Sequence, residues 1–95
     1  MSKSILTEEK KCFWCGTTYG LHKHHVYGGE GRRKLSEEEG CWTWLCGQHH
    51  NLSNESVHHN HDMDLTLKKV CQARWEYLHN GDRDKFIKIF SRSYL

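Results

Sequence analysis

Two short pairs of metal-binding side chains constrain this chain more than any other feature. Cys12 and Cys15 are separated by two residues, and Cys46 and His49 repeat that spacing after a gap of thirty residues. A two-residue gap lets each pair wrap one edge of a tetrahedral ion, and together they make the set of soft and borderline donors that Zn2+ prefers. The competing readings of a CxxC are a redox dithiol or unrelated buried thiols. A redox dithiol needs a strand running into a helix, a setting absent around Cys12. The spacing therefore predicts a structural zinc on Cys12, Cys15, Cys46 and His49. A knuckle, a strand hairpin and a ligand pair at a helix start form the treble-clef arrangement, which folds around its metal.

The size of the chain makes such a staple necessary. Ninety-five residues, of which 36% are hydrophobic, form one domain with only a marginal core, so an added constraint is expected. Residues 1–11 lack the apolar stretch of a secretory signal, and the five Cys are an odd number, so the reading is a reducing cytoplasm. No apolar run approaches the roughly 18 residues of a membrane span, and no membrane partner is expected. Cys41 and Cys71 are left over. Cys41 is close enough to Cys46 in sequence to replace a ligand, but both read as small buried hydrophobes.

Without Pro, repeats or low-complexity linkers, nothing divides the chain. The knuckle at 12–15 leads into an extended segment over 21–27, ended by Gly28, Gly29 and Gly31. Arg32, Arg33 and Lys34 then read as a loop, with Ser36 capping a short helix through Glu37, Glu38 and Glu39. The aromatic run Cys41–Leu45 predicts a second strand. A polar helical stretch follows from Gly47 to Asn54. Asp64 can cap a longer helix whose Leu67, Val70, Cys71, Arg74, Trp75 and Leu78 recur at helical spacing, stopped by Asn80 and Gly81. Asp82 caps a last segment carrying Phe86, Ile87, Ile89 and Phe90. The fold class is α+β, with a helical part over about 64–95.

His24 and His25 end the first strand, and His50 directly follows the ligand His49. Hydrolysis of a phosphodiester requires a water deprotonated near neutral pH and a cation that stabilises charge on the phosphate and on the leaving oxygen. A histidine base beside a histidine-bound metal supplies both. Adjacent strand residues point to opposite faces, so His24 and His25 need a local twist if both are to reach one phosphate. Asn54 lies four residues beyond His50 and shares its face if the helix continues, with His58 one turn further. His22, His59, His61 and His79 read as solvated surface histidines.

The combination of the CxxC knuckle, His24-His25-Val26 and Leu45-Cys46-x-x-His49-His50 resembles the HNH (His-Me finger, ββα-metal) endonucleases. Small phage and prophage members of that class are similar from about Cys12 to Leu95, through HHVYGG, RKLSEEEG, WLCGQHHNLSNESVH and FIKIFSRSYL. The resemblance implies a ββα-metal core over about 19–58 and cleavage of DNA with low sequence specificity. His24 would be the first ligand of a catalytic divalent ion, Mg2+, Mn2+ or another. His25 would be the general base and His50 the final metal histidine, with Asn54 or His58 completing the coordination. It also implies host cytoplasm and phage recombination or packaging proteins as partners. The pattern departs in the middle, where such proteins carry an Asn before the second zinc pair. Here no Asn stands between His25 and Asn51, and Cys41 or Thr43 is nearest. A noncatalytic zinc module that binds nucleic acid or protein is the alternative, and it leaves His24, His25 and His50 without a purpose.

Charge is segregated along the chain. Residues 1–36 carry seven Lys/Arg against three Glu, residues 37–64 carry six acids and no Lys or Arg, and residues 65–95 carry seven bases against three acids. An acidic, His-rich centre between basic flanks suits a metal site within a phosphate-binding surface, although charge blocks also arise as plain solvated faces. Arg32, Arg33, Lys34, Lys68 and Lys69 are the candidate phosphate contacts. Replacing Arg32, Arg33 and Lys34 together with Ala is expected to weaken DNA binding and flatten its salt dependence, because fewer counterions are released. An unchanged slope of log affinity against log salt would remove this segment from the interface.

Overall fold

A computed structural model describes residues 3–28, 31–52 and 60–95. In chain order they form β1 (Leu21–His25), α1 (Arg32–Glu39), β2 (Trp42–Cys46), a π-helical turn (Gln48–Leu52), α2 (His61–Leu78) and α3 (Arg83–Phe90). The strands pair antiparallel, with Leu21 opposite Cys46, His24 opposite Thr43 and His25 opposite Trp42. A two-stranded sheet is marginal by itself, and here neighbouring segments extend it. Phe13 N–H donates to the Trp44 carbonyl at 2.9 Å, Val26 N–H to Cys41 at 2.9 Å, and Ile5 N–H to Gly40 at 3.0 Å. No helix among the described residues is long and apolar enough to cross a membrane.

The basic triplet is helical rather than a loop. α1 begins at Arg32, after Gly31 in the left-handed region at φ 80°, so Ser36 is interior to the helix and does not cap it. The reason lies in its hydroxyl, which is fully buried. It accepts from Tyr27 N–H at 3.1 Å and donates to the Tyr27 carbonyl at 2.9 Å, satisfying backbone groups just past β1 that no strand reaches. The start of α2 also lies earlier than the sequence suggests. Asn60 is its cap, accepting from Met63 N–H at 3.2 Å, and Asp64 instead pairs with Lys68 one turn on, at 2.8 Å.

The core lies between the hairpin and the two C-terminal helices. Val26, Tyr27, Cys41 and Leu45 pack with Leu67, Cys71 and Trp75 of α2 and with Phe86 and Phe90 of α3. Tyr27 stacks on Tyr94 at 5.2 Å, and its hydroxyl donates to the Lys68 carbonyl at 2.7 Å. The buried stripe of α2 is narrower than its periodicity implies, because Val70 and Leu78 are exposed and border a groove beneath the N-terminal segment. Buried Gln72 fills the remaining width. Its amide donates to Glu76 and Ser93, and its carbonyl accepts from Tyr94 N–H at 2.6 Å, which fastens the C-terminus to α2. The stop after α2 is as expected, with Asn80 and Gly81 both at positive φ. Asp82 caps α3 by accepting from Lys85 N–H at 3.0 Å.

Gly40 ends α1 at φ 74°, and a Cβ there would stand 2.5 Å from the Lys3 carbonyl oxygen. Gly81 has a similar φ of 76° but nothing within 4 Å. Gly81→Ala should therefore cost only the backbone strain of about 1–2 kcal/mol. Gly40→Ala should cost more, about 2–4 kcal/mol, because the N-terminal segment must also shift. Denaturant midpoints of the two variants test this. Equal losses would mean that residues 3–5 do not pack against Gly40.

Candidate metal centre and the adjoining cleft

The knuckle forms because Gly16, at φ 76°, lets the chain reverse. Gly16 N–H then donates to the Cys12 carbonyl, and Cys12 N–H to the Thr17 carbonyl, both at 2.9 Å. The bond from Phe13 N–H to β2 brings this loop to the end of the strand where Cys46 lies, and the π-helical turn carries His49 back toward it. The ligand atoms of Cys12, Cys15, Cys46 and His49 all lie within 4.8 Å of one another, close enough to hold one metal ion. Cys15 and Cys46 sulfurs are 3.8 Å apart, and His49 Nδ1 is 3.1 Å from Cys46 Sγ and 3.7 Å from Cys12 Sγ. Tetrahedral zinc with Zn–S near 2.3 Å and Zn–N near 2.0–2.1 Å gives edges of about 3.8 Å and about 3.6 Å. The set of three thiols and one imidazole is consistent with zinc. Burial opposes ionisation of Cys12, but backbone hydrogen bonds from Cys46, Cys15 and Trp14 outweigh it and lower its pKa from 9.0 to about 6, favouring the metal-binding thiolate. Cys41 is not part of the cluster. A hydrogen bond with Cys71, together with burial, pushes its thiol far up, and both leftover cysteines are buried in the core.

Beside the hairpin lies an open cleft of about 800 Å3. β1 supplies Lys23, His24 and His25 to its lining, α1 supplies Arg33, the π-helical turn supplies His50, and α2 supplies His61, Asp64 and Lys68. His24 is buried, and its ring centroid is 5.3 Å from that of His50. His25 points to the opposite strand face, as alternation requires, where its Nε2 is 3.7 Å from Glu37 Oε1. The same carboxylate oxygen accepts from Lys23 Nζ at 2.5 Å. Lys23 holds the Glu37 carboxyl below its usual range, against a desolvation effect and with help from His25. The pair's contribution to stability is thus present above the ordinary carboxylate pKa and lost as pH falls through the lowered one.

Among the candidate site residues, His24, His25, His50, Arg33 and Lys68 border this one cleft, while Arg32, Lys34 and Lys69 do not line it. Asn54 and His58 lie outside the described residues. Sequence reasoning missed Glu37, whose place beside His25 depends on how α1 docks on the hairpin. It also missed His22, whose Nδ1 is 3.1 Å from that of His50, and His61 and Asp64 on the first turn of α2. Spacing along β1 was the available signal for His22, since it shares a face with His24. Thr43, directly opposite His24, is fully buried and its hydroxyl has no hydrogen-bond partner among the described residues.

Comparison of the chain with known protein families, with curated proteins and with solved structures gives no match.

If the four-residue cluster closes around an ion, Cys12→Ser should abolish the cooperative thermal transition, and chelation should do the same to the parent. Metal analysis of the purified protein together with circular dichroism checks this. Protein that carries no zinc, or a Cys12→Ser variant that melts like the parent, would contradict it.

Proposed function

We propose that this chain is a metal-dependent DNA endonuclease of the HNH (His-Me finger) type, a zinc-stapled treble clef that hydrolyses phosphodiesters with low sequence specificity. The observation that carries the reading is the convergence of His24, His25 and His50 with Arg33 and Lys68 on one open cleft, separate from the Cys/His cluster. A structural site alone would not need these groups.

His24 of β1 and His50 of the π-helical turn, their ring centroids 5.3 Å apart, would hold a divalent ion such as Mg2+ or Mn2+. Such an ion, when bound, stabilises charge on the phosphate and on the leaving 3′ oxygen. Arg33 and Lys68 attract the phosphate backbone without reading bases. His25 takes the proton from the attacking water as its oxygen bonds to phosphorus. The P–O3′ bond then breaks and the leaving oxygen takes a proton from solvent water, giving a 5′ phosphate and a 3′ hydroxyl. Glu37, near His25 Nε2, favours the tautomer protonated there and leaves Nδ1 as the base. His24 and His25 lie on opposite strand faces yet both line the one cleft, which supports a reading in which they act on the same phosphate.

Plasmid cleavage in Mg2+, Mn2+, Ni2+ or Zn2+ tests the reading. His25→Ala should keep the fold and the DNA affinity while losing a factor of about 10²–10⁴ in rate, and excess metal should not restore it. A parent protein that cleaves with none of the four ions, or a His25→Ala variant that cleaves at the parental rate, would overturn it.

A further inference from the structure

His22 sits two residues before His24 on the same face of β1, and its ring meets that of His50 edge-on at a centroid distance of 5.1 Å. Their Nδ1 atoms are 3.1 Å apart, a hydrogen-bond distance at which one nitrogen carries the proton and the other accepts it. His50 lines the cleft, whereas His22 does not. His22 instead borders the neighbouring depression beside Cys15, Cys46 and Gly47. It therefore meets His50 from outside the cleft that His25, Arg33 and Lys68 border.

We propose that His22 is a positioning residue for His50: its Nδ1 accepts the Nδ1 proton of His50, fixing the tautomer in which Nε2 is unprotonated and holding the ring toward the cleft. The proposal rests on the reading of His50 as a ligand of the catalytic ion. An imidazole binds a metal only through an unprotonated nitrogen, and metal-bound histidines ordinarily donate their other N–H to a fixed acceptor, whose loss costs about 10–100-fold in metal affinity. The opposite direction of donation would put the proton on His50 Nε2 and close that nitrogen to a metal. His22 is exposed, so its replacement removes the acceptor without opening the core.

The tautomer of His50 can be read directly from ¹⁵N chemical shifts of the zinc-loaded, otherwise metal-free full chain at a pH where both rings are neutral. The expected spectrum shows His50 protonated at Nδ1 in the parent and a mixture of tautomers in His22→Ala. Mn2+ titration should show affinity weakened by about 10–100-fold in His22→Ala and largely restored in His22→Gln, whose amide oxygen can accept the same proton. Structural zinc content should be equal in all three proteins. A parent His50 protonated at Nε2, or a His22→Ala variant that binds Mn2+ as tightly as the parent, overturns the proposal. A parent with the expected tautomer and Mn2+ affinities but no DNA cleavage would overturn the nuclease reading and leave the role of His22 standing.

Discussion

Four ligand atoms from two distant segments meet within 4.8 Å, and the remaining architecture is arranged around that meeting. The knuckle comes from a polar N-terminal region with little to bury, while Cys46 and His49 come from the end of β2 and the turn after it. An ion held by all four ties the loop to the sheet, and in a chain this short such a tie takes the place of a larger core. It also has a consequence beyond stability. His49 and His50 are neighbours in one π-helical turn, so fixing the ring of His49 on the ion fixes the backbone from which His50 projects. An ion held there would thereby also set the geometry of the adjoining cleft.

The alternation of β1 divides the other polar side chains. His22 and His24 face His50, while Lys23 and His25 face Glu37 on α1. The two faces are thereby supported by separate partners, an imidazole for one and a carboxylate for the other. The strand stops at His25, and α1 and α2 close around its end, which is why residues of both faces border a single cleft. The helical placement of Arg33 and the inward face of Lys68 bring two cations to that cleft, and Asp64 holds Lys68 in place there.

The metal spacing, the two strands and the stop after α2 were legible in the sequence because each depends on local chemistry: short ligand gaps, a β-rich aromatic run, and Asn80-Gly81 at left-handed positions. What could not be read depends on contacts between distant segments. α1 carries no strong apolar period, its N-terminus has Gly31 in place of a side-chain cap, and Ser36 resembles a cap although its hydroxyl serves the backbone of Tyr27. Asp64 resembled a cap for the same reason, but it forms an ion pair inside a helix that Asn60 begins. His22 looked like a solvated histidine, since nothing in its own segment reveals that the π-helical turn would bring His50 to it. Glu37 was visible only as one of three acids in a row until the docking of α1 singled it out.

The central claim is that one short stretch, Cys46 to His50, serves two separate metal positions, one structural and one catalytic. Anomalous diffraction from crystals soaked in Mn2+, measured at the zinc and manganese absorption edges, tests it most directly. The account predicts a zinc peak enclosed by Cys12, Cys15, Cys46 and His49, and a separate manganese peak beside His24 and His50. A single metal position at saturating Mn2+, or manganese bound away from those two histidines, would contradict it.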